Sequence, residues 1–344
     1  MTMAKDAEPA VRPVRDTTRR SELAWLASRR EVLVAAAIIL VIGISAAVHS
    51  YFWSSANISF IFADSIVVAC LALGESFVML GRGIDLSVGS IMGMSAIIVG
   101  FQIQNHNMTL FPALVFGAAI GIALGLGNAL LVGVARLPPI IATLGTFSVY
   151  SGLEFVVTNG LQVDTIPNSL TNLGVHTVLP GVPILLVAAL PLFIIGAIVL
   201  RYTTFGRAIY AVGDDSEAAY RAGIPVQRIL FSTYVISGFT AGLAGIVLLI
   251  HTSGASSTTG NTDNLNAIAA ALIGGTALTG GRGGAFGALI GSVFLSATLT
   301  ALSYVHVSDI WQPAGVGVLV LLAVIYDSRG NAVRLPRMLR RRRT

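Results

Sequence analysis

Apolar residues in this chain come in blocks of about 20, separated by short polar breaks. A block of that length matches a helix crossing the hydrocarbon core of a bilayer. Ten such segments can be drawn: 32–52, 58–80, 86–103, 109–135, 138–157, 181–200, 229–251, 266–279, 284–305 and 310–326. The third and eighth are short or glycine-rich, so each is open to being tilted, broken or partly re-entrant. The pattern predicts an all-α, polytopic helical membrane bundle of about ten transmembrane helices over 32–327. A polar tail precedes it over 1–31, and a basic tail follows over 328–344.

Composition points the same way. Of 344 residues, 55% are hydrophobic and 11% charged, with a mean hydropathy of +0.82. A soluble domain carries about 25% charged residues, so this chain has too little polar surface for a water-facing globule. The first 31 residues mix both charge signs, and no short apolar stretch with a small-residue cleavage site follows. They read as a tail, not a secretory signal. The single cysteine, Cys70, excludes an internal disulfide framework and reads as a small buried hydrophobe.

Charge placement predicts orientation. With strict alternation, the loops on the side of the termini hold Arg82, Arg136, Arg201, Arg207, Arg221, Arg228 and Arg282, and the tails hold the remaining Lys and Arg. The opposite loops (53–57, 104–108, 158–180, 252–265 and 306–309) hold none. The positive-inside rule then puts both termini in the cytoplasm. The cluster Arg334, Arg337, Arg340, Arg341, Arg342 and Arg343 is a topology determinant or a contact for anionic membrane lipid.

Two loops differ in character. The outer stretch 158–180 is uncharged except for Asp164 and suits a shallow docking lip. The inner stretch 202–228 is dense in charge. Within it, Asp214, Asp215 or Ser216 can cap a short helix with Glu217 in its first turn. Ala218, Ala219 and Ala222 offer a small face, Glu217 and Arg221 can pair at i, i+4, and Gly223 with Pro225 ends the helix. The residues alone leave open a solvated connecting helix or one that docks on another protein.

Polar residues inside the spans are the other candidates. Asp64 and Glu75 fall in the second span, where charge is costly, so they should face the bundle interior or a watery cavity. Glu75 is a pathway residue or the partner in an internal hydrogen bond. In Gly81-Arg82-Gly83-Ile84-Asp85-Leu86-Ser87-Val88-Gly89-Ser90, Asp85 and Ser87 either cap the third span or line a translocation path. His49 reads as interfacial. The glycine-rich turn 274–284 lacks a following Gly-Lys-Ser/Thr, so close packing of the eighth and ninth spans explains it better than a phosphate loop. The second and eighth spans both end in a glycine-rich turn with one arginine (Arg82, Arg282), which hints at repeat construction. No metal-ligand cluster or nucleophile–base pair stands out, so no catalytic residue, metal or cofactor is expected on this chain.

Glu217-Ala218-Ala219 followed by Gly223 resembles the EAA loop of ATP-binding-cassette (ABC) permeases. The segment 81–90 closely resembles the Gly-Ile-Asp-Leu-Ser-Val-Gly-Ser signature of permeases for ribose, xylose, arabinose and galactose. Leu137-Pro138-Pro139-Ile140-Ile141-Ala142-Thr143-Leu144-Gly145-Thr146, Asn266-Ala267-Ile268-Ala269-Ala270, Gly274 to Gly283, and the Tyr234, Ser237-Gly238 and Ala241 to Gly245 positions resemble that family in its order, over about 57–327. Asn266 replaces a common Asp, and Ser151 a common Arg; both departures bear on substrate choice or binding-protein docking.

The resemblance implies the permease subunit of a bacterial monosaccharide ABC importer in the inner membrane. Its expected partners are a cytoplasmic ATPase subunit carrying ATP and Mg, a periplasmic sugar-binding protein and a second permease subunit, identical or not. Nucleic acid is not among them. Gly213, Asp214, Glu217, Ala218, Ala219, Arg221 and Gly223 would couple to the ATPase. Glu75, Asp85, Ser87, Gly89, Gly274, Gly275, Gly280 and Gly281 would form the path or its helix turns. Cargo of another kind (a polyol, autoinducer sugar or amino acid) and an ATP-independent transporter are the alternatives.

Overall fold

The computed structural model describes residues 50–332 apart from 305, together with Gly43, Ile44 and Ala47. The tail 1–31, nearly all of the expected first span 32–52, His49 and the arginines beyond 332 lie outside the described residues.

Twelve helices carry the described chain: α1 (Ser55–Leu80), α2 (Val88–His106), α3 (Leu110–Ala129), α4 (Pro139–Thr158), α5 (Asn168–Val175), α6 (Ile184–Tyr202), α7 (Thr204–Asp214), α8 (Ser216–Arg221), α9 (Val226–Thr252), α10 (Asp263–Ile273), α11 (Ala285–Tyr304) and α12 (Gln312–Ala332). Six are long and apolar enough to cross a membrane: α1, α3 with its π-helical continuation to Val134, α4, α6, α9 and α11. α2 has the length, 19 residues, but carries Ser90, Ser95, Gln102 and Gln104.

The expected eighth span, 266–279, is not one continuous helix. α10 has 11 residues and ends at Gly274. At 1.5 Å per residue it is about 16 Å long, half the hydrocarbon core. The stretch before it, expected as part of an outer loop, reaches into the bundle: a Cβ on Gly89 of α2 would strike the Gly260 carbonyl oxygen, and Asn264 Nδ2 donates to the Leu86 carbonyl at 3.3 Å.

Two helices form the centre. In the most apolar windows of α1 and α9, 72% and 67% of residues are buried, against 22% for α3 and α6. The outer helices turn large apolar side chains outward, among them Phe111, Ile141, Val156 and Ile195. Such continuous exposed apolar surface is stable against lipid, not water. α3 lies against α9 through glycine: a Cβ on Gly121 would strike the Gly238 carbonyl oxygen and press on Gly242. Removing side chains at this seam lets backbones approach, which drives packing where lipid is as apolar as leucine.

The glycine-rich turn after α10 behaves as expected from its composition. Gly274 meets the Gly287 carbonyl of α11 without room for a Cβ, while Gly275, Gly280 and Gly281 take positive φ. The stretch 158–180 is more structured than a plain lip. It forms α5 and the first strand of a hairpin, β1 (Thr177–Leu179), whose partner β2 (Val182–Pro183) takes up the start of the expected sixth span, and Val163 exchanges backbone hydrogen bonds with Ala255.

Candidate functional site

Polar groups gather at two places, one inside the bundle and one at its arginine-bearing end. The inner cluster begins where α1 stops. Gly81, Arg82 and Gly83 fold back on the last turn of α1, and residues 84–87 lead to the start of α2. This returns Asp85 to the level of Glu75, whose two carboxylate oxygens accept the Asp85 backbone N–H at 3.2 and 3.3 Å. Asp85 Oδ1 accepts the backbone N–H (3.0 Å) and hydroxyl (2.7 Å) of Ser87. That is a local turn ahead of α2 and not the expected cap: Ser87, at the N-cap position, makes no side-chain bond to the first turn of the helix.

The tertiary fold adds the rest. Ser237 of α9 donates to Asp85 Oδ2 at 2.9 Å; Asn128 of α3 donates to Ser87 Oγ at 2.6 Å and, at 3.4 Å, to Asp85 Oδ1. Thr146 of α4 donates to Asn128 Oδ1 at 2.6 Å. Glu75, Asp85, Ser87, Asn128 and Ser237 all have 0% exposure. One aspartate thus holds donors from separate helices in a medium where an unmet hydrogen bond is costly. Tyr234, also fully buried, brings a hydroxyl without a partner among the described residues to Gly83, beside the cluster.

Asn128, Thr146, Tyr234 and Ser237 were not predictable as members of this cluster, since single polar residues in apolar spans carry no partner information. Glu154 was detectable. It lies in the segment 138–157, and the rule that marks Asp64 and Glu75 marks it equally. Glu154 is fully buried in α4, and among the described residues only the Met94 backbone N–H lies near enough to act on its carboxylate as a donor, without a well-formed hydrogen bond. A Cβ on Gly93 would press on both Glu154 Oε1 and the Thr259 carbonyl, so these acceptors flank one point of α2. Close by, Ser151 Oγ donates to Asn261 Oδ1 at 3.5 Å. Asn266 donates to Asp263 Oδ1 at 3.1 Å, which places a carboxylate one helical turn from the position where an aspartate is expected. Asp64 is half-buried and acts electrostatically on His251 and Asp263.

The second cluster is the helix pair α7–α8. Asp215 caps α8, its Oδ1 accepting the Glu217 and Ala218 N–H groups at 2.9 and 3.0 Å. The Ala218 and Glu217 N–H groups, with Arg82 and Arg221 nearby, hold this carboxyl below its usual range. Glu217 pairs with Arg221, both exposed, and Gly223 (φ +85°) ends the helix as expected. The expected single alanine face is divided: Ala219 packs inward, while Ala218 and Ala222 point out.

Gly213 fixes this pair to the bundle. A Cβ there would strike the Leu80 carbonyl and press on the Gly281 nitrogen. Arg82 donates from Nε to the Thr279 carbonyl (2.9 Å) and from Nη2 to the Asp214 carbonyl, and Gly281 N–H donates to Leu80 O at 3.0 Å. The similar turns after α1 and α10 therefore touch, and α7–α8 rests on both. Gly213, Asp214, Gly280 and Gly281 come together here. Glu75, Asp85 and Ser87 meet in the inner cluster, and Gly89, Gly274 and Gly275 serve helix packing and turns.

Comparison with known proteins gives a consistent family. Residues 57–326 match the family described as branched-chain amino acid transport system / permease component. The chain is 37% identical over 304 residues to the autoinducer 2 import system permease protein LsrC of Enterobacter sp. (strain 638), covering 88% of each chain. It is 34% identical over 314 residues to the probable ABC transporter permease protein y4mJ of Sinorhizobium fredii, covering 89% of this chain and 93% of that one. Against the LsrC of Photorhabdus luminescens it is 31% identical over 310 residues, covering 89% and 92%. No solved structure matches.

Proposed function

We propose a function from a plain premise: the chain belongs to the permease-component family described as branched-chain amino acid transport system / permease component. It acts as the membrane-spanning subunit of an ABC importer in a bacterial inner membrane. A periplasmic binding protein delivers a monosaccharide, a separate ATPase subunit carries ATP and Mg, and a second permease subunit completes the path. The arginine-bearing end faces the cytoplasm, as the positive-inside rule requires. The expected ten crossings retain α10 as a half-length segment.

The observation that carries this reading is the seat of α7–α8. A short capped helix, exposed on its outer side, is joined through Gly213 and Arg82 to the ends of α1 and the α10–α11 turn. Force applied to α8 by an ATPase reaches both turns without passing through a flexible loop. α1 and the 84–87 segment lead on to Asp85, so a shift of the turns displaces the cluster that ties α2, α3, α4 and α9. Glu154, with unmet acceptors beside polar residues 256–262, is our candidate for receiving sugar hydroxyls, which are good donors to a carboxylate.

Glu217→Arg tests the coupling role. It places like charges at 217 and 221 on an exposed helix, where folding tolerates it. We expect ATP-driven uptake by the reconstituted importer to fall at least tenfold with the amount of assembled permease unchanged. Unaltered uptake would remove α8 from the coupling path.

A second reading concerns cargo. Relatives 31–37% identical are named for autoinducer 2 import, so a sugar-derived signal of that kind competes with an ordinary pentose or hexose. Uptake of labelled autoinducer 2 against labelled ribose, with the native binding protein, decides between them.

A further inference from the structure

Beside α8 lies a cavity of about 530 Å³, to which the coupling helix contributes Ser216, Glu217 and Tyr220 and whose two arginines the coupling role leaves unassigned. Its lining includes Arg136, from the turn between α3 and α4, and Arg228, from the first turn of α9, with Ser216 and Tyr220 of α8 supplying hydroxyls. Among the described residues neither guanidinium has a hydrogen bond or ion pair, and both side chains are exposed. The one acidic residue in the lining, Glu217, is neutralised by Arg221. The cavity therefore carries two surplus positive charges. The N-terminus of the 27-residue α9 opens onto it as well, adding the positive end of a long helix. Gln227 has its Oε1 buried without a partner, so no bond there opposes turning its amide NH2 inward.

What surrounds the cavity selects the kind of anion. Val134, Leu137, Ile140 and Ile141, flanking Arg136 in sequence, expose 64%, 42%, 51% and 67% of their surface. An exposed apolar band continuous in sequence with Arg136, one wall of this doubly basic cavity, fits a molecule with a phosphate head and hydrocarbon tails. We propose that this cavity binds the phosphodiester headgroup of an anionic lipid of the inner leaflet, with its acyl chains along the 134–141 band. The bound lipid bridges α8 to the α3–α4 turn and to α9, and so holds the coupling helix in the position it has here. Placement in the inner leaflet rests on the topology proposed above.

The test uses the full-length chain in detergent, titrated separately with phosphatidylglycerol and phosphatidylcholine, with retained lipid counted by native mass spectrometry. We expect wild type to retain phosphatidylglycerol preferentially. Arg136→Gln with Arg228→Gln should weaken retention about twenty-fivefold, the product of two surface charges contributing roughly fivefold each. Arg136→Lys with Arg228→Lys should keep most of it, which separates charge from folding. Equal retention by wild type and the Gln variant, or equal retention of phosphatidylcholine, would overturn the proposal. So would binding of inorganic phosphate to a chain that retains no phosphatidylglycerol, which would assign the cavity to a free anion. Retention is read on the chain itself; failure of the importer reading would appear instead as absent ATP-driven uptake with the lipid still bound.

Discussion

The inner cluster around Asp85 and the α7–α8 pair are built on opposite principles. α8 is local: its cap, ion pair and terminating glycine lie within nine residues of one another, and most of its surface is exposed. The Asp85 cluster is almost wholly non-local, joining positions 75, 85, 128, 146 and 237 with no exposed member. In water an exposed ion pair contributes well under 1 kcal/mol, whereas a buried charge stripped of its partners costs several. Damage to the first region should therefore alter coupling and spare the fold, and damage to the second should first cost the fold.

The sharpest break of that contrast is Asp85→Ala. It leaves the Ser237 hydroxyl and the Ser87 N–H and hydroxyl buried without their acceptor, at a cost of about 3 kcal/mol. The melting temperature in detergent should drop markedly, with a smaller drop for Asp85→Asn, which keeps an acceptor oxygen. A smaller effect of opposite sign is expected at Glu154. Among the described residues its oxygens have no well-formed hydrogen bond and only the Met94 N–H nearby, so Glu154→Gln, whose amide can donate to the Thr259 carbonyl, should stabilise by about 1 kcal/mol. If the carboxylate receives substrate, uptake falls while the melting temperature rises. A fall in melting temperature would show that the carboxylate is structural.

The smallest effect belongs to the exposed helix. Because Asp215 has its folded value held below the unfolded one, its support of α8 is complete above the unfolded value near 3.8. That support is lost as pH falls through the lower folded value. Amide exchange at Glu217 and Ala218 should stay slow from neutral pH down to about 4, once the intrinsic pH dependence of exchange is corrected for. It should accelerate only in stronger acid. The overall unfolding transition should not follow it, since α8 has little buried surface.

How legible each region was follows from the same difference. The start and stop of α8 could be read directly because capping residues, helix pairs and a positive-φ glycine act over three or four positions. Its alanine face was misjudged: side-chain size does not reveal which side meets α9. The tight contact between the 274–284 turn and α11 was also readable, because glycines at such spacing have few other uses in a membrane. The turns carrying Arg82 and Arg282 looked alike in sequence, but nothing there showed that they touch.

The amino-acid sequence alone determined a membrane-embedded helical chain, a charge asymmetry between its two faces and the local chemistry of α8. Each depends on composition or on neighbours a few residues apart, and the cost of placing charge in hydrocarbon enforces it. Tertiary structure decided that α10 stops halfway, that the stretch around Thr259 and Gly260 reaches α2, and that Asp85 collects donors from α3 and α9. Those outcomes depend on which backbones can approach one another. That is settled by glycine seams and by the need to satisfy every buried polar group at once, a condition no single segment of sequence contains.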